Sequence, residues 1–295
     1  MTVSIELVGG LAPGDPGEVL TALRTVSDAL RAEGDARAIF PDVYAVITEG
    51  VVDGMASGLF TEPEFISRLA GRFARRYLET LSWSLSGLPQ DCAAWSAAYG
   101  QVGRSGVAAI QHAGLGISAH VNFDLALGTA EVVAELAPRR DPALLRTLKR
   151  DYDAVNHVLK DAAPRVMSLL AERYGCPVAP VFTGVTGWPA RTQALAMVLQ
   201  WRELVWRNTL DLLNAPDAAS RQAVVDRLEL NSRVVALFIT GPPVVAPAVD
   251  LAVDLAVDLT VGLTVGLTRR LARVLPPVPP VPAALARRVL RTVAA

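Results

Sequence analysis

Residues 111–127 read QHAGLGISAHVNFDLAL and are the most informative stretch of this chain. The stretch is apolar on nearly every side and long enough for several helical turns, which is typical of a helix enclosed by other helices. It nevertheless carries the polar side chains of His112, His120, Asn122 and Asp124. Each such group costs about 1–3 kcal/mol to bury without a hydrogen-bond partner. We therefore predict a buried helix at about 105–136 that contains a polar cluster.

The rest of the chain repeats apolar residues at helical spacing and lacks the alternation of strands. Further helices are predicted at about 17–33, 42–57, 191–213 and 216–239. A capping-box spacing from Thr61 to Glu64 starts another helix, and Asp141 opens one that runs to Tyr174 with Pro164 inside it. The predicted fold class is all-α: a single multi-helix bundle with a central buried helix.

The chain divides by composition into a loose N-terminal segment (1–14), a helical domain (15–241) and a low-complexity amphipathic tail (242–295). The tail contains the tetrapeptide repeat DLAVDLAVDLTVGLTVGLT at 250–268, then PPVPPVP and a basic end. Three Asp residues in the repeat disfavour a transmembrane span, because each costs about 2.5–3.5 kcal/mol near the bilayer centre. Three alternatives stay open: sequence drift without a role, a peripheral membrane contact through 250–295, or a helix for a partner.

Bulk properties exclude several classes of function. The formal net charge is -1, which offers no electrostatic basis for nucleic-acid binding. Cys92 and Cys176 stand far apart, as expected of a reducing compartment. The N-terminus lacks the basic and apolar regions of a secretory signal, so we expect a cytoplasmic protein, with peripheral membrane association as the alternative. Motifs such as GxSxG, HExxH and a phosphate-binding glycine loop are missing from the sequence.

Three short segments show a pattern that extends beyond periodicity. They are FARRYL at 73–78, GxxAHVNxDL at 116–125 and DYxxVNxxL at 151–159. Together they resemble a family of uncharacterised, mainly actinobacterial helical proteins (domain of unknown function 5995), over about 43–242. Ser118 stands where the family's Asn is expected, and His112 where an apolar residue is more usual. The resemblance implies a helical domain with a shared polar motif and no particular activity.

A helical wheel relates the third segment to the buried stretch. Tyr152 lies on the core face of its helix, Asp151 and Asn156 lie at the two borders of that face, and His157 points away. His120 and Asp124 are four residues apart, so both project from one face of their own helix. We therefore predict a polar pocket formed by His120, Asp124, Asp151 and Asn156, with Tyr44 or Tyr77 near its mouth.

Three interpretations of this pocket compete. In the first, the side chains form a hydrogen-bonded lock that holds the helices in register. In the second, His120, Asp124, Asp151 and His112 hold one divalent metal such as zinc, because an imidazole and a carboxylate on one helix suit such a site. In the third, His120 is a general base oriented by Asp124 toward a small apolar substrate.

The predicted function is a hydrolase-type enzyme with a buried His/Asp site and, as an option, one divalent metal, acting on a small apolar or ester/phosphoester substrate. In this prediction His120, Asp124, Asp151 and Asn156 are catalytic. The alternative is a non-catalytic helical protein that binds a small-molecule ligand or acts as a scaffold, in which the cluster is structural. The sequence does not indicate the oligomeric state.

Overall fold

A computed structural model shows how the helices are arranged. It describes residues 8–176 and 188–240, and side chains in the second range from residue 195 onward. The helices are α1 (Pro16–Ala32), α2 (Ile39–Ala56), α3 (Pro63–Leu85), α4 (Ala93–Tyr99), α5 (Ala109–Ala119), α6 (Leu125–Leu136), α7 (Pro142–Tyr174), α8 (Trp188–Asn214) and α9 (Ala218–Thr240). A 3-10 turn, Ala36–Ala38, precedes α2, and a π-helical turn, His120–Asp124, joins α5 to α6. The described ranges contain no strand, which confirms the all-α prediction.

Local sequence signals set several helix ends. The Asp15 side chain accepts the backbone N–H of Glu18 ahead of α1, whose first residue is Pro16. Asp141 accepts the N–H groups of Ala143 and Leu144 at the start of α7. Gly175 ends α7 with a φ of 58°, a left-handed conformation that glycine adopts without steric cost. Helix α7 continues through Pro164.

The predicted capping box at the start of α3 is wrong. No side chain of the local sequence caps this helix, and Glu62 stands at its N-cap position. Asp151 of α7 instead accepts the backbone N–H groups of Thr61 at 2.9 Å and Glu62 at 2.5 Å. A carboxylate from another helix therefore accepts the two backbone N–H groups that lead into α3, and only the Thr61 N–H is a donor that the capping box would have satisfied.

The buried stretch is helical from Ala109 to Leu136, with a change of helix type in the middle. In the π turn the N–H of Leu125 bonds to the carbonyl of His120. Ser118, His120, Asn122 and Asp124 are all buried. Residues 105–108, which were assigned to this helix from sequence, precede it as a turn and an extended cap.

Packing of the helices produces one large apolar core and a smaller one. Helix α1 packs on α2, α2 on α7, α6 on α3 and α8, and α9 on α4 and α5. The large core includes the fully buried rings of Trp95, Tyr77 and Tyr152. The smaller cluster includes Val43 of α2, Ala113 of α5 and Leu170 of α7.

The predicted helical domain, 15–241, spans the helices from α1 to α9. The predicted tail at 242–295 and the first seven residues lie outside the described residues. The division of the chain into three segments, and the role of the tail, therefore stay predictions.

Candidate functional site

His120, Asp124 and Trp95 form a buried hydrogen-bonded cluster that packs against rings of the large core. His120 Nδ1 and Asp124 Oδ2 are 2.9 Å apart, and the Trp95 indole N–H donates to the same oxygen at 2.9 Å. An indole N–H can only donate, so Oδ2 accepts from Trp95, and with Asp124 as a carboxylate the neutral imidazole donates through Nδ1. The predicted pairing of His120 with Asp124 is present, and Trp95 of α4 is an additional member that the sequence did not indicate.

Aromatic rings surround the imidazole of His120 on several sides. Phe73 stacks on it with a centroid distance of 3.3 Å and an interplanar angle of 10°. Tyr44 and Phe40 approach edge-on at 4.8 and 5.4 Å. Tyr44 and Tyr77, which we had expected near the mouth of a pocket, are both buried beside the histidine. This packing removes water from the ring.

Burial lowers the pKa of His120, and the hydrogen bond and charge of Asp124 offset only part of this effect. The imidazole is therefore neutral near neutral pH, with its lone pair on Nε2. That atom is buried and forms no hydrogen bond with any described residue. An unsatisfied buried nitrogen of this kind costs about 1–3 kcal/mol.

Asp151 does not join this cluster. The Asp151 side chain is buried at the start of α3, where it accepts the backbone N–H groups of Thr61 and Glu62. Each carboxylate oxygen accepts one of these N–H groups, so the Asp151 side chain on α7 caps the start of α3. Its role in the described structure is the stabilisation of the α3 terminus.

Asn156 pairs with Arg202 of α8, a residue that the sequence did not indicate as part of the site. The Asn156 amide oxygen accepts from Arg202 Nε at 2.7 Å. Arg202 Nη2 donates to the carbonyl of Tyr152 at 2.5 Å, and the guanidinium lies 4.2 Å from the centre of the Tyr152 ring. The spacing of positions 202, 205 and 209 in the sequence indicates that they share one helix face. In the structure Val205 and Thr209 on that face are buried, as Arg202 is.

A cavity of about 470 Å³ lies beside His120 and Arg202. Its walls come mainly from α2, α3, α5, α7 and α8, with Leu125 of α6 and Ile239 of α9, and consist mostly of aliphatic and aromatic side chains. The ring of His120 borders the cavity from the π turn, and Arg202 borders it from α8. The volume falls within the range of about 300–1,000 Å³ that is typical of small-molecule sites.

His112 lies apart from this cavity. It is half-buried and borders a separate small cavity of about 20 Å³ together with Arg37, Tyr77 and Tyr99. Burial lowers the pKa of His112. His157 is exposed on α7, as the wheel predicted.

The predicted hydrolase with a divalent metal is wrong. Residues 8–176 and 195–240 contain no group of three or more His, Cys, Asp or Glu side chains arranged to hold a metal ion. Of the four expected ligands, His120 and Asp124 meet, whereas Asp151 binds backbone amides and His112 borders another cavity. The expected ligands do not meet because the packing of α7 directs Asp151 to the start of α3 and not to the π turn.

Taken together, these features define an all-helical protein with a largely apolar cavity beside a buried His–Asp–Trp cluster. The chain belongs to a family of unknown function (DUF5995), whose model matches residues 17–242. The match confirms the family inferred from the sequence, while the mainly actinobacterial origin stays an expectation. No curated protein and no solved structure matches the chain.

Within the described part of the chain, none of the helices combines the length and the apolar composition that crossing a bilayer requires. The predicted peripheral membrane contact through 250–295 concerns residues outside the described ranges and stays a prediction.

Proposed function

We propose that this protein binds an apolar small molecule in the cavity between α2, α3, α5, α7 and α8. The supporting observation is the cavity itself, about 470 Å³ of space bordered mainly by apolar side chains. Protein interiors are normally close-packed, and wall atoms that face empty space lose dispersion contacts. An apolar ligand restores those contacts and gains the free energy of leaving water.

The His120–Asp124–Trp95 cluster has a supporting role in this proposal. Its hydrogen bonds join the π turn to α4, and the imidazole packs against rings from α2 and α3. The π turn contributes His120 and Val121 to the cavity wall. A rigid polar lock of this kind keeps the wall in place when the cavity is filled.

Ligand binding is tested with the neutral apolar fluorophore N-phenyl-1-naphthylamine. We expect saturable binding to the purified full-length protein. Ala163 of α7 borders the cavity, and an Ala163→Phe substitution places a phenyl ring in it. The substitution is expected to weaken binding at least about tenfold, the effect of roughly 1.4 kcal/mol of steric conflict.

The matched control is Ala223→Phe, which places the same ring on the exposed surface of α9. This variant should bind like the unmodified protein. Ala70→Phe, on the α3 wall, serves as a second cavity-filling variant if Ala163→Phe does not fold. The proposal fails if the fluorophore does not bind, or if it binds both cavity-filled variants as tightly as the control.

A further inference from the structure

Arg202 is a buried arginine without a carboxylate partner among the described residues. Its exposed fraction is 6%, and among the described residues Arg202 is the one arginine that is buried. Other partly buried arginines pair with acids, as Arg31 does with Asp42 and Arg37 with Asp35. Arg202 forms no such ion pair with a described residue.

The nearby acidic side chains are bound elsewhere. Lys149 holds both Asp153, at 2.6 Å, and Glu203, at 2.9 Å. The partners of Arg202 are instead neutral: the Asn156 amide, the Tyr152 carbonyl and the Tyr152 ring. These contacts orient the guanidinium, yet they leave its positive charge without a counter-charge. Burying an unpaired charge is unfavourable by several kcal/mol.

The guanidinium still has donors that no described residue accepts. Arginine carries five N–H groups, and the hydrogen bonds of Nε and Nη2 use two of them. The donors on Nη1 form no hydrogen bond with a described residue, and Arg202 borders the large cavity. A planar guanidinium with open donors is suited to hold a carboxylate.

We infer that the ligand is an amphiphile with a single carboxylate, whose head group binds Arg202 while its apolar chain fills the cavity. This inference rests on the proposed function. Arg202 is the one charged side chain among the described residues that border the cavity, and the neighbouring His120 is neutral. One positive charge balances a carboxylate, whereas a doubly charged phosphate would retain an uncompensated negative charge.

The inference is tested by displacement of N-phenyl-1-naphthylamine at about pH 8, where the carboxylate is ionised. The competitors are dodecanoate, methyl dodecanoate, dodecylamine and dodecyl phosphate. The measured quantity is the ratio of the affinities for dodecanoate and for its methyl ester. We expect a ratio of at least about ten, the usual size of a hydrogen bond to a charged group.

Two arginines of α8 provide matched variants. Arg202→Met removes the buried charge, and Arg207→Met removes an exposed one, since the side chain of Arg207 is 57% exposed. We expect Arg202→Met to bring the ratio to about one, because the ester keeps its apolar contacts while the carboxylate loses its partner. Arg207→Met should keep the ratio of the unmodified protein. A melting curve for each variant shows that it is folded.

The ratio separates a binding role from a structural one, because a general loss of packing weakens both competitors alike. If Arg202→Met does not fold, Arg202→Lys replaces it, with an expected severalfold fall in the ratio from loss of the forked donors. A ratio near one in the unmodified protein, or an unchanged ratio in the Arg202 variant, overturns the inference. Tighter binding of dodecyl phosphate or dodecylamine than of dodecanoate also overturns it. If the fluorophore does not bind at all, the proposed function itself fails.

Discussion

At the scale of single residues, the central feature is the carboxylate of Asp124, one oxygen of which accepts from both His120 and Trp95. The three side chains come from α4 and from the π turn, so the cluster links two elements. Because all three are buried, the loss of one donor removes one of the two hydrogen bonds to this charged oxygen in an apolar surrounding.

Replacing Trp95 with Phe tests this link. We expect the free energy of unfolding to fall by about 2–4 kcal/mol, from the lost charged hydrogen bond and the lost ring volume. Trp206→Phe is the control, because its ring is also buried and makes no hydrogen bond with a described residue. The control should lose less, and equal losses in urea unfolding would show that the Trp95 hydrogen bond contributes nothing.

The histidines make stability depend on pH in a defined direction. Burial lowers the pKa of His120 and His112 below the ordinary value of 6.5. The unfolded chain therefore binds protons at a higher pH than the folded protein does. The stability that comes from burying the neutral histidines is fully present above their ordinary pKa. It is lost as the pH falls toward their lower pKa values in the folded protein. Each histidine contributes a slope of at most about 1.4 kcal/mol per pH unit.

His120→Asn isolates the contribution of one ring. Its amide nitrogen lies where Nδ1 stood, so it can still donate to Asp124, but it does not titrate. We expect unfolding free energies measured between about pH 5 and pH 7 to fall less steeply in the variant than in the unmodified protein. Parallel curves would mean that His120 titrates alike in the folded and unfolded states.

At the scale of elements, Asp151 joins α7 to the start of α3 across 90 residues of sequence. Substitution by Ala leaves two backbone N–H groups without acceptors. We expect the free energy of unfolding to fall by about 1–3 kcal/mol, with faster hydrogen exchange in the first turn of α3. Asp153→Ala on the same helix is the control, since its side chain is 44% exposed, and it should change stability by less than about 1 kcal/mol. A similar loss in both would exclude a capping role.

Helix α5 approaches α2 closely at Gly116. A Cβ atom at this position would lie 2.5 Å from the ring of Phe40, whereas one at Gly114 would lie 3.5 Å from Ile239. Gly116→Ala is therefore expected to destabilise by about 1–3 kcal/mol through overpacking. Gly114→Ala should be neutral or stabilising by up to about 1 kcal/mol, because Ala is the better helix former. Thermal unfolding of the pair checks this, and equal melting temperatures would contradict it.

At the scale of the whole molecule, a ligand that fills the cavity stabilises the folded protein alone. At a ligand concentration of about 100 times Kd, the free energy of unfolding rises by about 2.7 kcal/mol. For a domain of this size, this corresponds to a rise in Tm of about 5–10 °C. Circular dichroism melting with N-phenyl-1-naphthylamine should show this rise, and Ala163→Phe should show little of it. An unchanged Tm at saturating ligand would contradict the proposed cavity site.

The packing of the whole molecule also explains why the predicted metal site of a hydrolase does not form. The sequence predicted the helix faces on which His120, Asp124 and Asp151 lie. It did not predict which other helix packs against each of those faces. In the folded protein α7 directs Asp151 to α3 and Asn156 to Arg202 of α8. The four residues expected in one pocket therefore serve three different sites.

Features that depend on near neighbours along the chain could be predicted from the sequence. Apolar periodicity predicted the all-α class, Asp15 and Asp141 cap their own helices, and His120 meets Asp124 because four residues span one turn. Tertiary packing instead creates the Trp95 link, the cap from Asp151, the burial of Arg202 and the cavity. These contacts join residues far apart in sequence, and the cavity is the space left between packed helix faces. Periodicity assigns a side chain to a face, but the packing of all the helices determines what that face contacts.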